Sequence, residues 1–214
     1  MTRRRFLSFV PTLLLALCWP TPALALESKL IEMRVAGGSL FAALELRDLF
    51  SSKFQTVLEN GAAIYLRVQI ELWEDRPVWD KLAQPAAITV FQILLDRQTR
   101  HVKVADQYGE ASRQPAWQEP VALRLVLGRA DSLSDGAKYY VRVLATLGTL
   151  AEKETATASK AVFGDDESSV SVAAMGKVLF RTVLQVNEYL QSESSEIRSR
   201  EMTGREIKAG VKFP

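Results

Sequence analysis

Period-two alternation along most of the chain, a Gly-Gly pair between two such runs, and only two stretches with helical spacing predict a mainly β protein. The expected fold is an antiparallel sandwich of about seven strands with one inserted helix and a C-terminal amphipathic helix.

Lys29–Val35 and Leu40–Leu46 flank Ala36-Gly37-Gly38-Ser39. Two extended runs around a glycine pair read as a hairpin, because glycine reaches positive φ without a Cβ clash. Leu46, Leu49, Phe50, Phe54, Val57 and Leu58 then recur every three or four residues. That spacing predicts a helix of about three turns, with Asp48 as N-cap and Gly61 as its stop. The clearest strand follows, with Ile64, Leu66, Val68, Ile70 and Leu72 alternating with Tyr65, Arg67, Gln69, Glu71 and Trp73. One face is apolar and the other mostly polar, as in a half-buried antiparallel strand. Ile88–Leu95 is more continuously apolar and reads as a central strand, with Val102 and Val104 as a shorter partner beyond the turn at Arg97–Arg100. Val121–Leu127 and Tyr139–Ala145 alternate as the last two strands, which closes a domain over residues 26–150.

Residues 151–168 begin rich in Ala, Thr, Ser and Lys and read as a linker. Helical spacing returns over 169–191, with Val172, Met175, Leu179, Val183, Val186 and Leu190 on one stripe. Asp165, Asp166 and Glu167 precede it, where negative charge favours a helix N-terminus. Residues 192–214 are polar and read as a disordered tail.

The first 25 residues have the layout of a secretory signal peptide: Arg3, Arg4 and Arg5, an apolar run from Phe6 to Trp19, and Ala23-Leu24-Ala25 as the cleavage site. Cleavage near Ala25 would deliver the protein to the periplasm or outside the cell. About 14 apolar residues make a helix of about 21 Å, short of the ~30 Å hydrocarbon core of a bilayer. Thr2–Leu7 also fits the twin-arginine export pattern. Leu15-Ala16-Leu17-Cys18 approaches a lipidation site, but Leu17 is too large for the position before the cysteine. Export changes the electrostatic reading, because the full chain has 27 Lys+Arg against 25 Asp+Glu and the segment removed holds three Arg and no acid. The remaining 24 against 25 give a net charge of −1. Charge therefore gives no argument for a nucleic-acid partner. Cys18, the single cysteine, leaves too, so no disulfide is expected and stability must come from a core.

Several segments carry a family resemblance: Val57-Leu58-Glu59-Asn60-Gly61, the strand Ile64–Trp73, Arg76-Pro77-Val78-Trp79-Asp80, and Asp135-Gly136-Ala137-Lys138-Tyr139-Tyr140-Val141. Together they resemble the bacterial family called domain of unknown function 4390, over roughly residues 30–150. The resemblance implies an exported protein without an assigned activity, and it supplies no catalytic residue. The C-terminal helix departs from the short aromatic ending of that family.

Candidate sites are few. His101 is the single histidine, so a His-His or His-Cys metal site is impossible, and its basic turn, Arg97–Lys103, reads as solvated structure. Asp131-Ser132-Leu133-Ser134-Asp135-Gly136 lacks EF-hand spacing and reads as a capped turn. Trp73, Trp79 and Trp117, with Asp75, Arg76 and Glu119 nearby in sequence, could form an aromatic platform or could close a core. Glu71, Glu74 and Asp75 show no spacing that identifies an acid–base pair. No phosphate loop, HExxH or G-x-S-x-G is present. No catalytic residue, cofactor or metal is therefore assigned.

These readings converge on an exported, non-enzymatic interaction module of the bacterial periplasm or cell envelope. Its expected surface comprises Trp73, Arg76 and Trp79 together with the stripe Val172, Met175, Leu179, Val183, Val186 and Leu190. The expected partner is an envelope protein, or a second copy meeting it through the C-terminal helix. Membrane contact is not favoured, since that helix offers few cations beyond Lys177 and Arg181. Two alternatives are a hydrolase using surface carboxylates near residues 71–80 and a carrier of a lipid or other hydrophobic ligand.

Overall fold

The computed structural model describes residues 26–106, 108–149 and 190–214. The expected signal peptide, the linker and the helix at 169–191, apart from its last two residues, lie outside them.

The described chain is mainly β. It runs β1 (Glu27–Ala36), β2 (Ser39–Arg47), α1 (Ser52–Glu59), β3 (Ile64–Asp75), β4 (Lys81–Leu82), β5 (Ala87–Asp96), β6 (His101–Asp106), β7 (Gly109–Pro115), β8 (Val121–Arg129) and β9 (Lys138–Thr149). After the gap come β10 (Leu190–Arg198), β11 (Met202–Thr203), α2 (Gly204–Ala209) and β12 (Val211–Lys212). Two antiparallel sheets form: a small one ordered β12-β1-β2-β8, and a large one ordered β10-β9-β3-β5-β6-β7, with β4 on β3 and β11 on β9. The seven expected strands correspond to β1, β2, β3, β5, β6, β8 and β9.

Alternation works as the sequence implies. Ile64, Leu66, Val68, Ile70 and Leu72 of β3 are at most 2% exposed, and Leu40, Ala42, Leu44 and Leu46 of β2 at most 1%. These join Leu123, Leu125, Val141, Val143 and others in a single core fed by both sheets. Each fully buried Leu or Ile contributes about 1.5–3 kcal/mol, so the shared core is the main force holding the sheets together. Gly37 and Gly38 both take positive φ, 57° and 77°, in the two-residue β1–β2 turn. Gly128, φ 152°, lies beside a bulge in β8, and a Cβ there would fall 1.8 Å from Gln84 Oε1. Without that Cβ, the Gln84 amide reaches backbone of Arg129, accepting from its N–H at 2.8 Å and donating to its carbonyl at 3.0 Å. This ties the β4–β5 connection to the edge of the small sheet.

Two expectations are corrected. The inserted helix is shorter than the spacing suggests: Leu46 stays in β2 paired with Val121, and α1 begins only at Ser52. Asp48 is not its N-cap, because its φ is 58° and its N–H is donated to Glu119 Oε2 at 2.7 Å. Leu49 and Phe50 are buried from a loop, so helical spacing arose without a helix. The polar tail is ordered. β10 extends the large sheet beside β9, and β12 pairs with β1 in the small sheet. Met202, Ile207 and Val211 supply buried anchors. Thr203 and Glu206 form a reciprocal capping box that starts α2. Gly204 docks so closely that a Cβ would lie 2.1 Å from the Ser134 carbonyl oxygen. Among the described residues, no helix is long and apolar enough to cross a membrane.

Candidate functional site

β4 folds back on β3 with Trp73 opposite Leu82 and Glu74 opposite Lys81, which leaves residues 76–80 as a loop at the end of β3. Its base is fixed from three directions. Arg76 Nη2 donates to Glu74 Oε2 at 2.8 Å, the Arg76 N–H donates to Asp80 Oδ1 at 3.5 Å, and the Tyr140 hydroxyl donates to Asp80 Oδ2 at 2.7 Å. Tyr140 stands opposite Trp73 on the neighbouring strand β9, and the Arg198 guanidinium lies 3.6 Å from its ring centroid. The tip has no such cover: Val78 is 78% exposed and Trp79 76%.

Below the loop, the outward residues of β3 hydrogen-bond to one another, although Arg67 Nε is buried without a partner. Arg67 donates to Gln69 at 3.5 Å, Gln69 to Glu71 Oε1 at 2.6 Å, and the Trp73 indole N–H to Glu71 Oε2 at 2.8 Å. Arg142, opposite Glu71 in register, lies between Glu71 at 3.9 Å and Glu196 at 2.6 Å. Trp73 is thus half-buried and held by its indole, while Trp79 is free to meet another surface.

The electrostatics follow from these donors. The hydrogen bond from Arg76 holds the Glu74 carboxyl below its ordinary range. The Tyr140 hydroxyl, followed by the Arg76 N–H and the charge of Arg198, does the same for Asp80. Burial, and then the Asp80 carboxylate, pushes the Tyr140 phenol up. Carboxylates stabilised as anions are poorly matched to general-acid work near neutral pH, which needs a raised pKa.

The remaining candidates are dispersed. Trp117 and Glu119 do not join Trp73 and Trp79; they pack in the β7–β8 connection, where Glu119 accepts from the N–H groups of Asp48 and Phe50. Asp75 ends β3 opposite Lys138. His101 opens β6, with Nδ1 2.7 Å from the Thr99 carbonyl oxygen. Asp131 is paired with Arg129 and Asp135 with Lys208, each at 2.7 Å, so the two carboxylates are drawn to different cations. Among the described residues, no group of three or more His, Cys, Asp or Glu is placed to hold a metal. The stripe from Val172 to Val186 lies outside the described residues, and Leu190 opens β10.

Sequence reasoning singles out Trp73, Arg76 and Trp79 but misses Tyr140 and Arg198. An aromatic on the polar face of the last predicted strand was the available signal for Tyr140; Arg198 falls where a tail is expected. No family model, curated protein or solved structure matches the chain.

Proposed function

We propose that the protein is an exported, non-enzymatic interaction module of the bacterial periplasm or cell envelope, and that it grips a partner protein through the loop at residues 76–80. The observation that carries this reading is the presentation of Trp79: a large apolar side chain 76% exposed on a loop whose base is fixed by Asp80, Tyr140 and Arg76. Rigid, solvent-facing tryptophans are favoured anchors of protein interfaces, because little conformational entropy is lost when they are buried. The signal-peptide layout of residues 1–25 and the family resemblance support the exported setting. The hydrolase alternative is less well supported, since Glu71, Glu74 and Asp80 are each engaged by donors. For the carrier, the space between the sheets is filled by side chains such as Leu44, Leu66 and Leu147, at most 1% exposed.

A photo-crosslinking residue at Val78, introduced in the producing bacterium, tests the reading. A discrete adduct in the envelope fraction is expected, and Trp79→Ala should deplete it without lowering the melting temperature. An adduct indifferent to Trp79→Ala would remove the loop from consideration, and recovery of the protein with the cytoplasm would remove the exported setting.

A further inference from the structure

At the other end of β3 from the Trp79 loop, where β2 passes into α1, a cleft of about 220 Å³ is lined by Asp48, Phe50, Ser51, Gln55, Trp117 and Glu119. We propose that this cleft binds a primary alkylammonium group, with Asp48 and Glu119 as charge acceptors and the Trp117 indole as an aromatic wall.

Glu119 is already positioned: Oε2 accepts the Asp48 N–H at 2.7 Å and Oε1 the Phe50 N–H at 3.2 Å. Each carboxylate oxygen keeps capacity for a further donor. Asp48 takes a left-handed conformation, φ 58°, and its carboxylate has no hydrogen-bond or ion-pair partner among the described residues. A half-buried carboxylate in a concave site, next to a second one, raises the local affinity for a cation. Trp117, also left-handed at φ 65°, meets Phe50 edge-on, with centroids 5.6 Å apart and planes at 66°, so the indole is held in place. An indole face attracts an organic cation.

The charges around the cleft agree. Beyond Ser51, Glu193 accepts from the Ser51 hydroxyl at 3.4 Å and pairs with Lys53 at 3.7 Å, and its other oxygen is buried without a donor. Lys53 also lies 4.6 Å from the Phe54 ring centroid. The residues lining the cleft thus include two carboxylates and no cationic side chain, while Glu193 beyond them is met by Lys53. Two carboxylates beside an aromatic ring suit an organic cation better than calcium, which takes six to eight oxygens. The volume is below the ~300–1,000 Å³ of drug-sized pockets, so the ligand is a group of few heavy atoms.

The test is titration of the full chain with n-butylammonium, following indole N–H resonances by NMR, with Trp73 and Trp79 as internal references and n-butanol as the neutral control. N-acetyl-lysine methylamide forms a second arm, which separates a free amine from a lysine side chain of a partner. The Trp117 resonance is expected to move with n-butylammonium and not with n-butanol. Asp48→Asn should weaken binding about ten-fold, the loss of one charged partner. Asparagine tolerates left-handed backbone well, so that variant should keep its melting temperature. Equal shifts from butanol and butylammonium, or unchanged affinity in Asp48→Asn, would overturn the proposal.

Discussion

The loops at residues 76–80 and 116–120 each carry a tryptophan, a carboxylate and a proline, yet one turns its indole to solvent and the other packs it against Phe50. The difference lies in what each loop connects. Residues 76–80 join β3 to β4 within the large sheet, so there is no seam to cover. Asp80 takes its donor from Tyr140 on the adjacent strand, and the loop clamps to its own sheet. Residues 116–120 carry the chain from β7 in the large sheet to β8 in the small one. Glu119 there reaches the β2–α1 connection, some 70 residues away in sequence, and draws Phe50 over Trp117. A similar set of side chains thus makes a protruding anchor inside one sheet and a closing wedge between two.

The largest effect should come from cutting the wedge at its carboxylate. Glu119→Ala leaves the N–H groups of Asp48 and Phe50 without their acceptor, and a lost pair of charge-assisted bonds costs about 3 kcal/mol. For a chain of this size that is a fall of about 6–12 °C in melting temperature. Asp80→Ala should cost less, because the exposed Arg76 can turn to water and only the Tyr140 hydroxyl is left without its acceptor. Equal losses in thermal denaturation would break the contrast between the loops.

Next come the tryptophans. Trp117→Ala removes a partly buried ring and its edge contact with Phe50, for an expected loss of about 2 kcal/mol. Trp79→Ala should stay within about 0.5 kcal/mol of the parent, as surface changes do, while depleting the crosslink through Val78. Urea denaturation of the two variants gives the comparison directly; a destabilised Trp79→Ala would mean that the exposed indole supports the fold and is not held for a partner.

The sequence distinguishes these loops poorly, and the reason is physical. Alternation located β1, β2, β3, β5, β6, β8 and β9, because each places one apolar face on a shared core. The strands it missed are two-residue pairings or polar edges. β7 reads Gly-Glu-Ala-Ser-Arg-Gln-Pro and β10 Leu-Gln-Ser-Glu-Ser-Ser-Glu-Ile-Arg. Edge strands gain their place largely from backbone pairing, to which composition is nearly blind. The tail reads as disorder for the same reason, although Thr203-Gly204-Arg205-Glu206 carries a legible capping box. Trp73, Arg76 and Trp79 could be picked out as residue types. Which tryptophan faces solvent depends on Tyr140 and Phe50, partners that only the sheet pairing brings near.

The smallest effect, and the sharpest test of the clamp, is electrostatic. The Asp80 carboxyl lies below its ordinary value of 3.8 because it accepts the Tyr140 hydroxyl first, then the Arg76 N–H, near the charge of Arg198. A group depressed on folding contributes stability that is fully present above its unfolded value and disappears as pH falls through the folded one. Acidification should therefore loosen the base of the 76–80 loop, seen as a shift of the Trp79 indole resonance with its midpoint below 3.8. Tyr140→Phe removes the leading donor but keeps the ring that Arg198 covers. The midpoint should then rise, because the largest lowering influence is gone and burial, which ranks ahead of the Arg76 N–H and the Arg198 charge, pushes the carboxyl up. At neutral pH the Trp117 resonance should stay where it was. A midpoint unmoved by Tyr140→Phe would show that the phenol does not hold the loop, and the contrast with the Glu119 wedge would then rest on the backbone alone.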